Sequence, residues 1–487
     1  SSSLAQVVLM PCCAPIFDAR WWWTKREKWP HEVKKQPNWE CSLIHGHFAP
    51  GWEPVREEFV QNFRTRGELG AGVCVYHQGV KVVDLWGGYR DLKGHPWEKD
   101  TLVPVFSSTK GVSMMAMVLQ HSRGRLDPDE KVATYWPDFA QHGKGATTVR
   151  QLMNHECGLA GPSPAIKLKD LMDKDKCRSF FAAVKPEWPT PGDYKGYMAV
   201  TLGNYQSALI QLTDEDNGRR TAGRFLRDEV FTPLHIEDEF YVGLPKEIPD
   251  ERCAVLDSMV SLEPLFTSTL PRGFVSRLLF KPWTYTARAL NNPRLSAMAS
   301  MATFNSRKVK EAEFPAANGQ ATARALAAVY CAAERAINTR GEVNPLGFSQ
   351  EALAELMVPS KPSRLGGWRD EVLGIKMSVS HGMMKPPPEG AVPGEFCAFG
   401  VDQRAFGTAG AGGSIGFCDP TAGLAFAYVM NRCGEYLHDD PRQFALRLKA
   451  HECASRASGG SFSTEHLREP YQLSAGHFAR FKHLRPL

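Results

Sequence analysis

Ser107 and Lys110 stand one helical turn apart in the run Val105-Phe106-Ser107-Ser108-Thr109-Lys110-Gly111-Val112. That spacing puts both side chains on one helical face. There the lysine can take or steer the serine hydroxyl proton, and the first-turn N–H groups favour developing negative charge. A weak nucleophile would be activated in this way without a histidine. The same tetrapeptide also begins ordinary buried helices, so its setting matters. The preceding Asp100-Thr101-Leu102-Val103-Pro104-Val105-Phe106 reads as extended and apolar, and the following Ser113-Met114-Met115-Ala116-Met117-Val118-Leu119 as a buried helix. Tyr197, in Pro191-Gly192-Asp193-Tyr194-Lys195-Gly196-Tyr197-Met198-Ala199, is the candidate second proton handler, because a phenolate held by a nearby lysine can act as a general base. Tyr194 competes with it, and an ordinary packed tyrosine is the alternative for both. Thr408-Ala409-Gly410-Ala411-Gly412-Gly413 is a glycine-rich strand end that a substrate can approach closely. The Ala411 N–H would then serve as an oxyanion donor beside that of Ser107, the alternative being a simple turn between strands.

These groups need a rigid frame, and the flanking segments supply one. Pro54–Arg64 has Val55, Phe59, Val60 and Phe63 at helical spacing. Gly72–Tyr76 and Val80–Trp86, joined by His77-Gln78-Gly79, read as a hairpin. Strands return late in the chain, at Ala405–Gly410, Ser414–Phe417 and Leu424–Met430, followed by a helix over Pro441–Ala454. Lys385-Pro386-Pro387-Pro388-Glu389-Gly390 marks a boundary. The expected fold is α/β: an antiparallel sheet assembled from N- and C-terminal segments and flanked by helices, with a large, mainly helical insert. In numbers, a domain over 45–455 has its sheet part at 45–106 and 395–455 and its helical part at 107–394. Residues 1–44 are a Trp-rich extension (Trp21-Trp22-Trp23, Trp29, Trp39), and 456–487 a basic C-terminal arm.

With 487 residues the chain can bury a large core, and its net charge of +5 is too weak to argue for nucleic acid. The 12 cysteines are irregularly spaced and include no Cys-x-x-Cys pair, which reads as reduced, buried thiols in a reducing compartment, mitochondrial or cytoplasmic. No apolar run reaches the roughly 20 residues a membrane-spanning helix needs. His45-Gly46-His47 is half a metal motif without further ligands at useful spacing, so no metal and no cofactor are expected. Tryptophan clusters favour interfaces, so protein partners or self-association through 1–44 and 456–487 are expected.

Taken in this order, the serine, tyrosine and glycine-rich elements resemble the serine β-lactamase and penicillin-binding-protein superfamily. The branch resembled is that of class C β-lactamases, related carboxylesterases and β-lactamase-domain proteins. Arg66–Gly72, Val83–Gly88, Val149–His155, Glu229–Leu234 and Gly413–Pro420 are similar to that branch as well. The resemblance implies Ser107 as acylated nucleophile, Lys110 as its proton partner, Tyr197 as deacylation base, and Thr408, Gly410 and Ala411 as the oxyanion and substrate strand. It implies an acyl-enzyme hydrolase of a small ester or amide. The third motif departs from the family's Lys-Thr-Gly or His-x-Gly, because Thr408-Ala409-Gly410 carries a hydroxyl in place of a basic group. Ala199 likewise replaces an asparagine. Loss of a charge-assisted hydrogen bond of about 1.5–3 kcal/mol would weaken turnover without abolishing it. The competing expectation is a catalytically degenerate accessory subunit of a larger assembly.

Overall fold

The computed structural model describes residues 43–258, 271–292, 301–392 and 396–468, with Asn217, Arg272, Ala398 and Glu435 excepted. The tryptophan-rich residues 1–42 and the greater part of the C-terminal arm, 469–487, lie outside the described residues. An eight-stranded antiparallel sheet forms the frame. Its strands are β1 (Ile44–Phe48), β2 (Gly70–His77), β3 (Val80–Gly88), β4 (Val379–Ser380), β5 (Met383–Met384), β6 (Phe406–Ala409), β7 (Ile415–Asp419) and β8 (Leu424–Met430). Their spatial order is β1-β3-β2-β8-β7-β6-β5-β4. The N- and C-terminal pieces meet where β2 pairs with β8, from Ala71↔Met430 to His77↔Leu424.

Both faces of this sheet are covered, and the sequence shows why. All seven residues of β8, Leu-Ala-Phe-Ala-Tyr-Val-Met, are buried, as expected of a strand between two helical layers. The helix α1 (Glu53–Thr65) packs with the C-terminal helix (Pro441–Ala457) on one face. On the other lies the helix Ala323–Asn338, whose alanine-rich inner side allows close approach. Neighbouring residues of β7 record the two sides. A Cβ on Gly416 would stand 2.6 Å from the Tyr330 ring, whereas Phe417 stacks on His451 with ring centroids 5.7 Å apart. The chemistry-bearing helix α2 (Ser108–Ser122) begins beside the end of β6 and is buried along nearly its whole length.

One boundary differs from the sequence reading. The C-terminal part of the sheet starts at Val379, ahead of the proline-rich loop and not at 395. A tight turn at His381-Gly382, both with positive φ, folds β4 back on β5, and two-residue strands leave no readable alternation. His45-Gly46-His47 is part of the edge strand β1, where Gly46 has φ 107° and a Cβ would meet the Asp84 carbonyl at 1.9 Å. The nine described cysteines are all buried and unbridged. No helix among the described residues is long and apolar enough to cross a membrane.

A buried ionic cluster ties the sheet to the last helix. The Arg442 guanidinium donates to Glu68 Oε1 at 3.0 Å, to both oxygens of Asp440 and to the Arg432 carbonyl. Its Nη2 also reaches the Gly412 carbonyl at 2.9 Å, in the turn that follows β6. Removing one member of such a cluster leaves uncompensated buried charge. Arg442→Ala is therefore expected to lower the unfolding free energy by about 3–5 kcal/mol in urea titration. A loss below about 1 kcal/mol would show that the cluster does not hold this corner.

Candidate functional site

Ser107 sits at the N-terminal end of α2, immediately after Phe106, whose φ of 45° turns the chain sharply from extended to helical. The turn is held from both sides. Val105 N–H donates to the Gly319 carbonyl at 2.9 Å, and Ser414 Oγ donates to the Val105 carbonyl at 2.8 Å. Thr109 Oγ1 donates to the Phe106 carbonyl at 2.6 Å and accepts the Gly319 N–H at 3.0 Å. A non-glycine residue at positive φ persists only where its surroundings impose it, and these bonds do so.

Lys110, one turn into the helix, is only 1% exposed. Its Nζ lies 3.1 Å from Ser107 Oγ and donates to the Ala199 carbonyl at 2.6 Å and the Ala316 carbonyl at 2.8 Å. The partners are a hydroxyl and two carbonyls, not a carboxylate, so no counter-charge offsets the cost of burying the ammonium. Burial accordingly pushes the amine down to about 7. Near neutrality the two N–H bonds of a neutral amine would go to the two carbonyls, and its lone pair would face Ser107.

Tyr197 stands beside Ser107, near enough for the serine hydroxyl to favour the phenolate, and its ring lies with the centroid 5.0 Å from Lys110 Nζ. Burial pushes its hydroxyl up to about 12, so at neutral pH it is a phenol and not the phenolate that a neighbouring lysine suggests. The structure also separates the two tyrosines of this segment. Tyr194 packs edge-on against Trp188 at 5.7 Å and beneath Gly366, away from Ser107.

Thr408 lies under the start of α2. Its Oγ1 is 3.1 Å from the Tyr330 hydroxyl and donates to the Ser108 carbonyl, while Ser108 Oγ donates back to the Thr408 carbonyl. The hydroxyl expected to replace a basic group in the pocket is thus spent within the core. Gly410 passes close to the serine: a Cβ there would stand 2.4 Å from the Val105 carbonyl and 3.2 Å from Ser107 N. Glycine is required at this approach.

Two buried titratable residues support the Tyr197 segment: His155, which ends the Val149–His155 run, and Asp370, which sequence reasoning missed. His155 packs edge-on against Tyr197 at 5.0 Å and accepts the Met198 N–H on Nδ1. Burial, helped by the charges of Lys110 and Lys195, pushes it down to about 3, so it is a neutral, structural histidine. Asp370 is buried below the Tyr197 segment. Its Oδ1 accepts the N–H groups of Val372 at 3.0 Å and Leu373 at 2.8 Å, and burial pushes it up to about 7. It lies far along the chain from Tyr197, which hides this contact from any spacing argument.

A beta-lactamase family model matches residues 56–450. The chain is 31% identical over 402 residues to the esterase/beta-lactamase LipL of Mycobacterium tuberculosis, covering 80% of this chain and 83% of that protein. Among solved structures it is similar to a family VIII carboxylesterase (31% identity, TM-score 0.69, 84% of this chain and 99% of the other). It is also similar to a penicillin-binding-protein homologue from Caulobacter crescentus (32% identity, TM-score 0.68, 84% and 99%).

The packing around Thr408 sets an expected outcome. Thr408→Val strands the buried Tyr330 hydroxyl and should cost about 1–3 kcal/mol in chemical denaturation. Thr408→His overpacks the same space against Tyr330 and Gly111, and should cost a similar amount, about 1–3 kcal/mol. A Thr408→His protein as stable as the parent would mean that this space is open.

Proposed function

This chain belongs to the beta-lactamase-like family of serine hydrolases and esterases, and from that premise we propose that it hydrolyses a carboxylic ester through an acyl-enzyme on Ser107. The observation that carries the reading is the set of three contacts around Lys110 Nζ, which leaves a buried amine free of any counter-charge beside the serine hydroxyl. As Ser107 Oγ attacks the ester carbonyl carbon, its proton passes to the Lys110 amine. The carbonyl oxygen gains the negative charge and is met by the N–H groups of Ser107 and Ala411. When the tetrahedral adduct collapses, the C–O bond to the leaving group breaks. Tyr197 gives its phenolic proton to the departing alkoxide and is reprotonated from Lys110. Water then attacks the acyl carbonyl, its proton returning along the same path, and the acid and Ser107 are released. Tyr197 acts as a relay in this scheme, consistent with a hydroxyl pushed up to about 12.

The third motif bears on the substrate. With Thr408 engaged by Tyr330 and Ser108, this strand offers no cation to grip a substrate carboxylate. A neutral ester fits that pocket better than a carboxylate-bearing lactam. The departure from the family pattern then changes selectivity and does not by itself remove the acylation machinery.

Intact-mass analysis after mixing with an activated ester tests the reading. The parent protein should gain one acyl group on the Ser107 peptide, and Ser107→Ala should gain none. Tyr197→Phe should lower steady-state turnover of p-nitrophenyl butyrate by about 10²–10⁴-fold with the fold intact. Cleavage of a carboxylate-bearing cephalosporin should be slower than that of the neutral ester. A folded parent that is never acylated, or a Ser107→Ala protein acylated equally, would remove Ser107 as the nucleophile.

A further inference from the structure

Phe280 and Trp283 are each 71% exposed, and Leu279 beside them is 52% exposed. They are the only phenylalanine and tryptophan among the described residues that are exposed, and Lys281 and Pro282 between them are exposed too. The five form the corner between the short helices Phe274–Phe280 and Tyr285–Leu290. The first helix already has an inner face in the buried Phe274 and Leu278, so Leu279 and Phe280 are surplus to the core. Between Gly273 and Leu290 the sequence holds Arg277, Lys281 and Arg288 and no acid. Arg288 is committed to Glu187 at 2.6 Å, while Lys281 is exposed beside the aromatic pair.

The size and composition of this corner select among occupants. Large side chains bury roughly 150–250 Å² each, so three partly exposed ones present a few hundred Å². A specific protein interface or a stable dimer takes about 800 Å² per partner. A lipid surface requires far less, because a tip can insert alone while basic groups meet anionic headgroups. Tryptophan is favoured at that depth, and a lysine between two aromatics can bury its stem while its ammonium stays at the headgroups.

The corner is also joined to the segment that carries Tyr197. Two residues beyond Trp283, the Tyr285 hydroxyl accepts the Ala160 N–H at 2.9 Å. Its ring passes so close to Gly196, the residue before Tyr197, that a Cβ there would stand 2.7 Å away. Thr286 Oγ1 donates to the Val372 carbonyl at 2.8 Å, beside Asp370. Whatever seats the corner therefore also bears on the segment that carries Tyr197. We propose that Leu279, Phe280, Lys281 and Trp283 form a docking tip for an anionic lipid surface. The docking does not depend on the hydrolase reading; delivery of surface-held esters to Ser107 does.

Flotation of the full chain with vesicles tests it. The protein should co-float with phosphatidylcholine vesicles that contain phosphatidylglycerol, and less with phosphatidylcholine alone. Phe280→Ser/Trp283→Ser should lower the bound fraction by more than about tenfold. Lys281→Glu should lower it by about tenfold on the anionic vesicles only. Both variants should keep the parent melting temperature. No flotation with either vesicle, or equal flotation by the double variant, would overturn the proposal. A dimer in light scattering that the double substitution breaks, without vesicle binding, would overturn it in favour of a second copy of the chain.

Discussion

A lysine amine buried without a counter-charge is the constraint on which this site is built. Lys110 cannot keep a full positive charge cheaply where it stands, because its hydrogen-bond partners are a hydroxyl and two carbonyls. Three parts of the chain far apart in sequence must converge to satisfy it: the start of α2, the carbonyl of Ala199 and the carbonyl of Ala316. The same convergence brings the Tyr197 segment to the start of α2. The Ala199 carbonyl comes from the segment that presents Tyr197, and the Ala316 carbonyl from the loop leading to Gly319, which grips Val105 and Thr109. The groups that tune the amine are thus also the groups that position the serine.

The sheet gives this arrangement its rigidity. Its two covered faces bury β7 and β8 completely, and the end of β6 lies against the Ser107 turn through Gly410. Arg442 extends the same frame to the last helix. By binding the Gly412 carbonyl as well as Glu68 and Asp440, it fixes the turn that carries Ala411. An interaction remote from Ser107 in sequence so holds the turn next to Gly410, the residue that passes closest to the serine N–H.

Much of this was legible in the sequence wherever local periodicity carried it. The Ser107–Lys110 spacing places both groups on one helical face, the His77-Gln78-Gly79 turn announces the hairpin, and the late apolar runs announce β6 to β8. The protonation state of Tyr197 was not legible, since it depends on burial that no spacing reveals. The orientation of Thr408 was hidden for a related reason: its partners, Tyr330 and Ser108, come from two other elements. Asp370 and the Ala316 carbonyl are pure tertiary contacts, and β4 and β5 are too short to show alternation. Local rules read the elements, and three-dimensional packing decides which titratable groups are charged.

The central claim is that burial of Lys110 makes it a base near neutrality and thereby activates Ser107. The rate of irreversible inactivation by a fluorophosphonate, measured across pH 5–9, reports the free protein's proton-accepting group directly. The expected profile falls about tenfold per unit below an inflection near 7, where burial places the Lys110 amine, and is level above it. A rate independent of pH over that range, or one still rising steeply at pH 9, would contradict the account.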